Sequence, residues 1–386
     1  MLLAQGDPAA ALESYRSSLA IAAGHLQADP EDSAWRQSLS DCLDMIGDIL
    51  MDQGDVGGAL DNYEASLIAI EQLVAADPGN AGLQRDLAIS HIKVGDVQMA
   101  FRELAPALRG YRAALAIIEQ LVLQQPANAE LAHDRSVCHE RLGDVLSEQG
   151  NYAMALASFR ECAGIRERLA ELAAGNAEWR RELSSAYEKT GDAQLSLDDL
   201  RGALDSHRLA LDIRRRMVES GPDDPSLWRD LSSSHDRIAG IMEASGRPAE
   251  SFEHYMASLG IAEKLARLEP GDSFRQWEIY ASLENVSRVQ ELLGHAKEAL
   301  LTAETMLAIA ERSAALETGN PDRRRDLAMA YRRVATLTLL LGQRNAAAAT
   351  LSRARTVILE LLREQPGSSD LIEELAWCDR QIETLV

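Results

Sequence analysis

An all-α repeat array is the fold class this sequence predicts, and three columns of small or helix-stopping residues predict it. The first column reads Gly47, Gly95, Gly143, Gly191, Ala239, Ser287, Ala335, at a constant spacing of 48 residues. The second holds proline at Pro30, Pro78, Pro126, Pro222, Pro270 and Pro366, with Ala174 and Thr318 between them. The third is Ala11, Ala59, Ala107, Ala155, Ala203, Ser251, Ala299, Ala347. The register does not slip over 386 residues. A fixed period of this size is the mark of a stacked array rather than of separate globular domains. One array over 1–386 is therefore expected, with about eight units, a partial first unit over 1–30 and a terminal helix over 368–386.

Each unit reads as two helices. In the first, Leu39, Cys42, Leu43, Ile46, Gly47 and Leu50 fall on one face of a 3.6-residue period. The "QGD" that follows is a turn, with Gly54 free to take positive φ. The second helix sets Ala59, Leu60, Tyr63, Leu67 and Ile70 on one face, and "ADPGN" ends it at Pro78 and Gly79. Asp or Asn before the next apolar run is the expected N-cap. Each helix spans about 20 residues, roughly 30 Å. Neither buries its apolar stripe alone, so neighbouring units must stack.

These residues resemble the tetratricopeptide repeat family. Gly47, Gly54, Ala59, Tyr63 and Ser66 match its small, turn, Ala, aromatic and small positions, as do Gly143, Gly150, Ala155, Phe159 and Cys162. The family repeat is 34 residues, so this period is a long variant, similar to arrays in bacterial multidomain signalling proteins. The position that the family usually gives to Trp holds Leu43, His91, His139, Tyr187, His235, Leu283 and Tyr331 instead. The resemblance implies a right-handed α-solenoid that binds protein or peptide in a concave groove lined by the first helix of each unit.

A net charge of −22 excludes nucleic acid and anionic membrane surfaces as natural partners. No stretch approaches the 18 or so apolar residues of a membrane span, and "MLLAQGDPAA" is no signal peptide. A cytoplasmic location is expected. Arg in excess of Lys and abundant Ala fit a GC-rich bacterial source.

A residue recurring in every unit serves folding, and this separates scaffold from candidate site. Cys42, Cys138 and Cys378 share a column with Ser90, Ala186, Ser234, Ser282 and Ala330. That column asks for a small side chain, so the four cysteines, Cys162 included, read as reduced core thiols. His91, His139 and His235 occur once per unit and cannot converge on one ion. No nucleophile, phosphate-loop or zinc motif occurs. No catalytic residue, metal or cofactor is expected. The tryptophans break register: Trp35 and Trp179 share a column, while Trp228, Trp277 and Trp377 do not. They read as packing between repeats, or alternatively as exposed anchors for a partner.

The outward face of the first helix carries the candidate binding residues. One column is Asp48, Asp96, Asp144, Asp192, then Gly240, Arg288, Thr336. Another is Asp44, Ile92, Glu140, Glu188, Asp236, Glu284, then Arg332 and Arg380. Two readings stay open. The acids are partnered within the scaffold, through i,i+3 pairs such as Lys93–Asp96, Arg141–Asp144 and Lys189–Asp192 or through a neighbouring unit's backbone. Alternatively they form a ladder that captures a basic or extended segment, with the Arg-rich end taking an acidic group or a C-terminus.

The chain starts and stops at nearly the same phase, Met1 aligning with Ile49 and Val386 with Leu50. Either a longer protein or an array stacking end to end into homo-oligomers is expected from that. The leading expectation is a non-catalytic scaffold or sensor for protein or peptide, in a signalling or defence context. Self-assembly through open ends is the alternative.

Overall fold

In the computed structural model, which describes residues 7–173, 175–270 and 272–385, there are sixteen α-helices among the described residues. Met1, Ala174 and Val386 lie outside them. The first helix of each unit is α2 (Ser33–Asp52), α4 (Ala81–Ala100), α6 (Ala129–Glu148), α8 (Ala177–Leu195), α10 (Pro225–Ala244), α12 (Ser273–Leu292), α14 (Pro321–Leu340) and α16 (Ser369–Glu383). The second helices are α1 (Pro8–Ala28), α3 (Val56–Ala76), α5 (Leu104–Gln124), α7 (Tyr152–Leu172), α9 (Leu200–Ser220), α11 (Pro248–Leu268), α13 (Ala296–Leu316) and α15 (Arg344–Glu364). Their starting residues recur every 48 positions, as the sequence period requires.

The helix boundaries follow from the residues at them. Asp32, Asn80, Asn128, Asn176, Asp224, Asp272 and Asn320 each cap a first helix through a side-chain oxygen that accepts from a backbone N–H. The turn between the two helices of a unit needs one residue at positive φ. Gly54, Gly150, Gly246, Gly294 and Gly342 supply it at +71° to +80°, while Arg102 and Asp198 occupy the same position at +60° and +59°. A side chain at positive φ costs about 1–2 kcal/mol.

The residues form two compact units, Met1–Ser206 and His207–Val386. Within the first, helices α1 to α8 each pack on the next in sequence, and α4 also touches α6. In the second, α10 to α16 pack consecutively in the same way. Each core is a row of small-on-large contacts. The Tyr63 ring of α3 lies against Gly47 of α2, and the Tyr111 ring of α5 against Gly95 of α4. A Cβ at Gly47 would stand 2.5 Å from the Tyr63 ring and one at Gly95 2.6 Å from the Tyr111 ring, well inside contact distance. Phe159 covers Gly143 in the same manner.

At two positions where the small residue gains atoms the large one shrinks, whereas Ala239 keeps the buried Tyr255 opposite it. Ser287 and Ala335 stand in the glycine column, and Ala303 and Leu351 stand in the aromatic column opposite them. Ala303 and Leu351 are fully buried. The Ser287 hydroxyl then donates to the Ala299 carbonyl at 3.0 Å. Such exchanges conserve volume across a close-packed contact.

Cys138, Cys162 and Cys378 are fully buried and Cys42 is half-buried, all four as free thiols. Burial pushes the Cys138 and Cys162 thiols up to about 12. They act as small apolar side chains.

Two stability outcomes follow from this packing. Gly143→Ala drives a methyl group into the buried Phe159 ring and should cost about 1–3 kcal/mol, whereas Gly164→Ala, with nothing within 4 Å of the added methyl group, should gain about 0.5–1 kcal/mol. Denaturant melts of the two variants compare them directly. Arg102→Gly should stabilise by about 1 kcal/mol by relieving the positive φ, since the Arg102–Glu148 pair it removes is solvent-exposed and weak. An unchanged or lowered melting midpoint would contradict that.

Candidate functional site

The close approach at glycine sets the position of the aspartate that follows it. With the Tyr63 ring packed close against Gly47, its hydroxyl reaches Asp48 and donates to Oδ1 at 2.6 Å. Tyr111 donates to Asp96 at 2.7 Å in the next repeat. Each aspartate also takes a cation from the following repeat. Lys93 Nζ stands 2.8 and 3.1 Å from the Asp48 oxygens, 45 residues away in sequence. Arg141 Nε is 2.8 Å from Asp96. Lys189 Nζ is 2.8 and 2.7 Å from the Asp144 oxygens. Phe159 has no hydroxyl, so Asp144 takes Lys189 without a tyrosine beside it.

The first repeats thus carry a ladder in which each acid joins two units. Local pairing of Lys93 with Asp96 and Lys189 with Asp192 was one sequence expectation. Instead, Lys93 and Lys189 reach back a full repeat. Arg141 and Asp144 do meet as i,i+3 neighbours, at 4.0 Å. The cations lie over aromatic rings as they do so, Lys93 5.2 Å from the Tyr63 centroid and Lys189 5.9 Å from Phe159. A half-exposed pair of this kind contributes about 0–1 kcal/mol.

Glu140 is the deepest node of this network. Arg166 of α7, only 3% exposed at its side chain, donates to Glu140 Oε2 at 2.6 Å, and Lys189 stands 2.8 Å from Oε1. Arg166 also donates to Ser136 Oγ at 3.3 Å and to the Glu182 carbonyl at 3.1 Å. Burial alone would raise the Glu140 pKa, but Arg166 and Lys189 outweigh it and hold the carboxyl at about 2. Glu188 and Asp192 are half-buried on α8.

The second unit keeps the polarity of the pair, acid on the earlier first helix and base on the later, but shifts Glu243 and Arg288 three positions along. Gly240 takes the aspartate position opposite Tyr255, whose hydroxyl then accepts from Arg288 Nη2 at 3.3 Å. Arg288 pairs with Glu243, 45 residues earlier, and Arg333 pairs with Glu291. The change from acid to base at Arg288 is thus matched by an acid three positions further along the preceding first helix. Sequence columns missed this pairing, because acid and base moved together.

The face formed by successive first helices of the second unit carries three adjoining cavities. One of about 450 Å³ is bounded by α10, α11 and α12 and includes Asp236, Trp277 and Asn285. A second, about 290 Å³, lies between α12, α14 and α16 and shares Trp277 with the first; Glu284, Arg325, Asp326 and Met329 border it. A third, about 560 Å³, shares Asp370 and Glu374 with the second and holds Arg332, Trp377 and Arg380. Trp277 is 37% exposed and stacks on Phe274 at 5.2 Å. Arg332 lies over Trp377 at 5.4 Å. By contrast Trp228 is engaged locally, its Nε1 donating to the Pro222 carbonyl at 2.7 Å with Lys264 over the ring.

Other candidate chemistry is sparse. His91 and His139 are half-buried and their pKa values are lowered by burial. His235 Nδ1 lies 3.0 Å from His254 Nδ1, and burial with the neighbouring His254 lowers His235 to about 4. Among the described residues no group of three or more His, Cys, Asp or Glu could hold a metal ion. No described helix is long and apolar enough to cross a membrane.

Comparison with known proteins agrees with this architecture. The family model for the tetratricopeptide repeat matches residues 140–171, from the end of α6 through α7. The apo form of RapI is 13% identical, with 97% of each chain covered and a TM-score of 0.55. BtubC (BKLC) from P. vanneervenii is 17% identical, covering 67% of this chain and 89% of that one, with a TM-score of 0.48. A Rap protein complexed with competence and sporulation factor is 17% identical over 80% of this chain and 76% of that one, with a TM-score of 0.43. No curated protein sequence matches the chain. The described residues form an all-α repeat solenoid, within which residues 140–171 match the tetratricopeptide repeat.

The Glu140 node makes a pH-dependent prediction. Its folded pKa of about 2 lies below the ordinary 4.5, so its contribution is complete above about 4.5 and is lost as pH falls towards 2. Glu140→Gln should cost about 3–5 kcal/mol at neutral pH by leaving Arg166 buried without its counter-charge. The gap from the parent protein should narrow as pH drops through that window. Denaturant titrations at pH 7, 4 and 2.5 measure it, and a gap that stays constant would contradict the assignment.

Proposed function

We propose that the chain is a non-catalytic protein-interaction scaffold. Its ligand, a protein segment or peptide, lies along α10, α12, α14 and α16 of the second unit. The observation that carries this reading is the run of three linked cavities with the partly exposed Trp277 ring between the first two. Aromatic side chains beside a cavity are the usual anchors of binding energy, because they bury a large area with little loss of freedom. The middle cavity carries Glu284, Asp326, Asp370 and Glu374 against Arg325, which favours a ligand with basic side chains.

Of the residues expected at a groove, Asp236 and Arg332 border these cavities. We assign Asp48, Asp96, Glu140, Asp144 and Arg288 to cohesion between repeats, since each already has a cation or anion at hand. Glu188 and Asp192, on α8, belong with that group in this reading. The whole −22 charge keeps the scaffold soluble and speeds encounter with basic segments.

Panning a random peptide library on the purified protein tests the reading. Binders selected on the parent chain should lose at least tenfold affinity for Trp277→Ala, with an unchanged melting temperature, and none for Ile68→Ala on the first unit. A library that yields no specific binder, or binders indifferent to Trp277→Ala, contradicts it.

A further inference from the structure

The Arg166 node of the first unit has a counterpart two periods later, and the counterpart is a cavity. Ser136, Glu140 and Glu182, which hold the Arg166 guanidinium, correspond in register to Ser232, Asp236 and Glu278. The two cations recur one period on, as the buried Arg214 and as Arg237, but not at the second period. Arg166 corresponds to Ala262, and Lys189 corresponds to Asn285. All five of these second-unit residues border the cavity of about 450 Å³ beside Trp277. Asp236 Oδ1 is buried there with no hydrogen-bond partner. Burial pushes its carboxyl up, opposed only by the Ser258 hydroxyl.

A buried carboxylate oxygen without a donor costs several kcal/mol unless a cation or hydrogen bond meets it. The first unit shows what this set of groups accepts. One guanidinium satisfies a carboxylate, a serine hydroxyl and a main-chain carbonyl together, because its donors form a planar fork. Arg229 and Arg237 also border the cavity. Their register counterparts, His133 and Arg141, lie beside the Arg166 node without displacing it: His133 pairs with Glu182 at 3.0 Å and Arg141 with Asp96 at 2.8 Å.

We propose that the cavity between α10 and α12 receives the side chain of an arginine from a partner polypeptide. Its guanidinium takes the place against Asp236, Ser232 and the Glu278 carbonyl that Arg166 takes against their counterparts. The Trp277 ring covers the arginine stem, and the neighbouring acidic cavity accommodates the basic residues that flank it. This deepens the reading of the second-unit face as the ligand surface and rests on it.

The test uses glycine–alanine nonapeptides with a single central arginine, citrulline or lysine. They are titrated into the full chain while the Trp277 indole N–H resonance is followed. The arginine peptide should shift that resonance saturably. Citrulline, which keeps the shape and loses the charge, should bind at least tenfold more weakly, with lysine between. Asp236→Asn should weaken the arginine peptide at least tenfold. Ala262→Arg should place the guanidinium within the chain, abolish the shift and raise the melting temperature. No saturable shift with the arginine peptide, equal binding of citrulline, or undiminished binding to Ala262→Arg overturns the proposal. Library peptides that need Trp277 but lack arginine and ignore Asp236→Asn would overturn it while leaving the ligand surface in place. A dimer abolished by Asp236→Asn would assign the arginine to a second copy and overturn the partner assignment.

Discussion

An aromatic ring packed close against a glycine is the contact on which the rest of the first unit depends. At Gly47, Gly95 and Gly143 the ring sits where an added Cβ would clash with it. It also carries the tyrosine hydroxyl to the edge of the first helix, where an aspartate accepts it. That aspartate is then in place to take a lysine or arginine from the next repeat. One steric constraint thus couples packing within a repeat to electrostatics between repeats. Each ion pair is weak alone, but the repeated pairs fix the register in which units stack.

The second unit shows the same logic with different residues. Ser287 with Ala303 and Ala335 with Leu351 conserve volume across the contact. Glu243 and Arg288 conserve the inter-repeat ion pair with the same polarity, three positions further along each helix. This unit reproduces the buried cation of the Arg166 node once, at Arg214, but not one repeat later. Ala262 and Asn285 stand at those positions, and the face opens there into a cavity. Scaffold and candidate site therefore use one register. They differ by which side chain fills it.

The period, the two-helix unit, the caps and the glycine turns were all readable from the sequence, because each is a local pattern repeated many times. The Asp48 column was also readable as a feature, but its partners were not. Lys93 sits three residues from Asp96, and helical spacing alone favours that pair. Stacking brings Lys93 instead to Asp48, and only tertiary geometry reveals it. The exchange at Arg288 looked like a change of ligand chemistry, because Glu243 lies outside the column being followed. Arg102 and Asp198 at positive φ departed from the glycine rule for the turn. The cavity at Asp236 was hidden for a different reason: it is defined by what Ala262 and Asn285 do not supply, and small residues in a helix carry no local signal.

The central claim is that ring and glycine are one steric unit, with the neighbouring aspartate positioned as its consequence. A double-mutant cycle on Gly95 and Tyr111, read by denaturant unfolding, tests it most directly. Gly95→Ala should destabilise the parent chain by about 1–3 kcal/mol yet cost little or nothing in the Tyr111→Ala background, the combination that Ser287 and Ala303 approximate naturally. A coupling energy of at least 1 kcal/mol is predicted, of the size seen for residues in direct contact. Strict additivity of the two substitutions would contradict it.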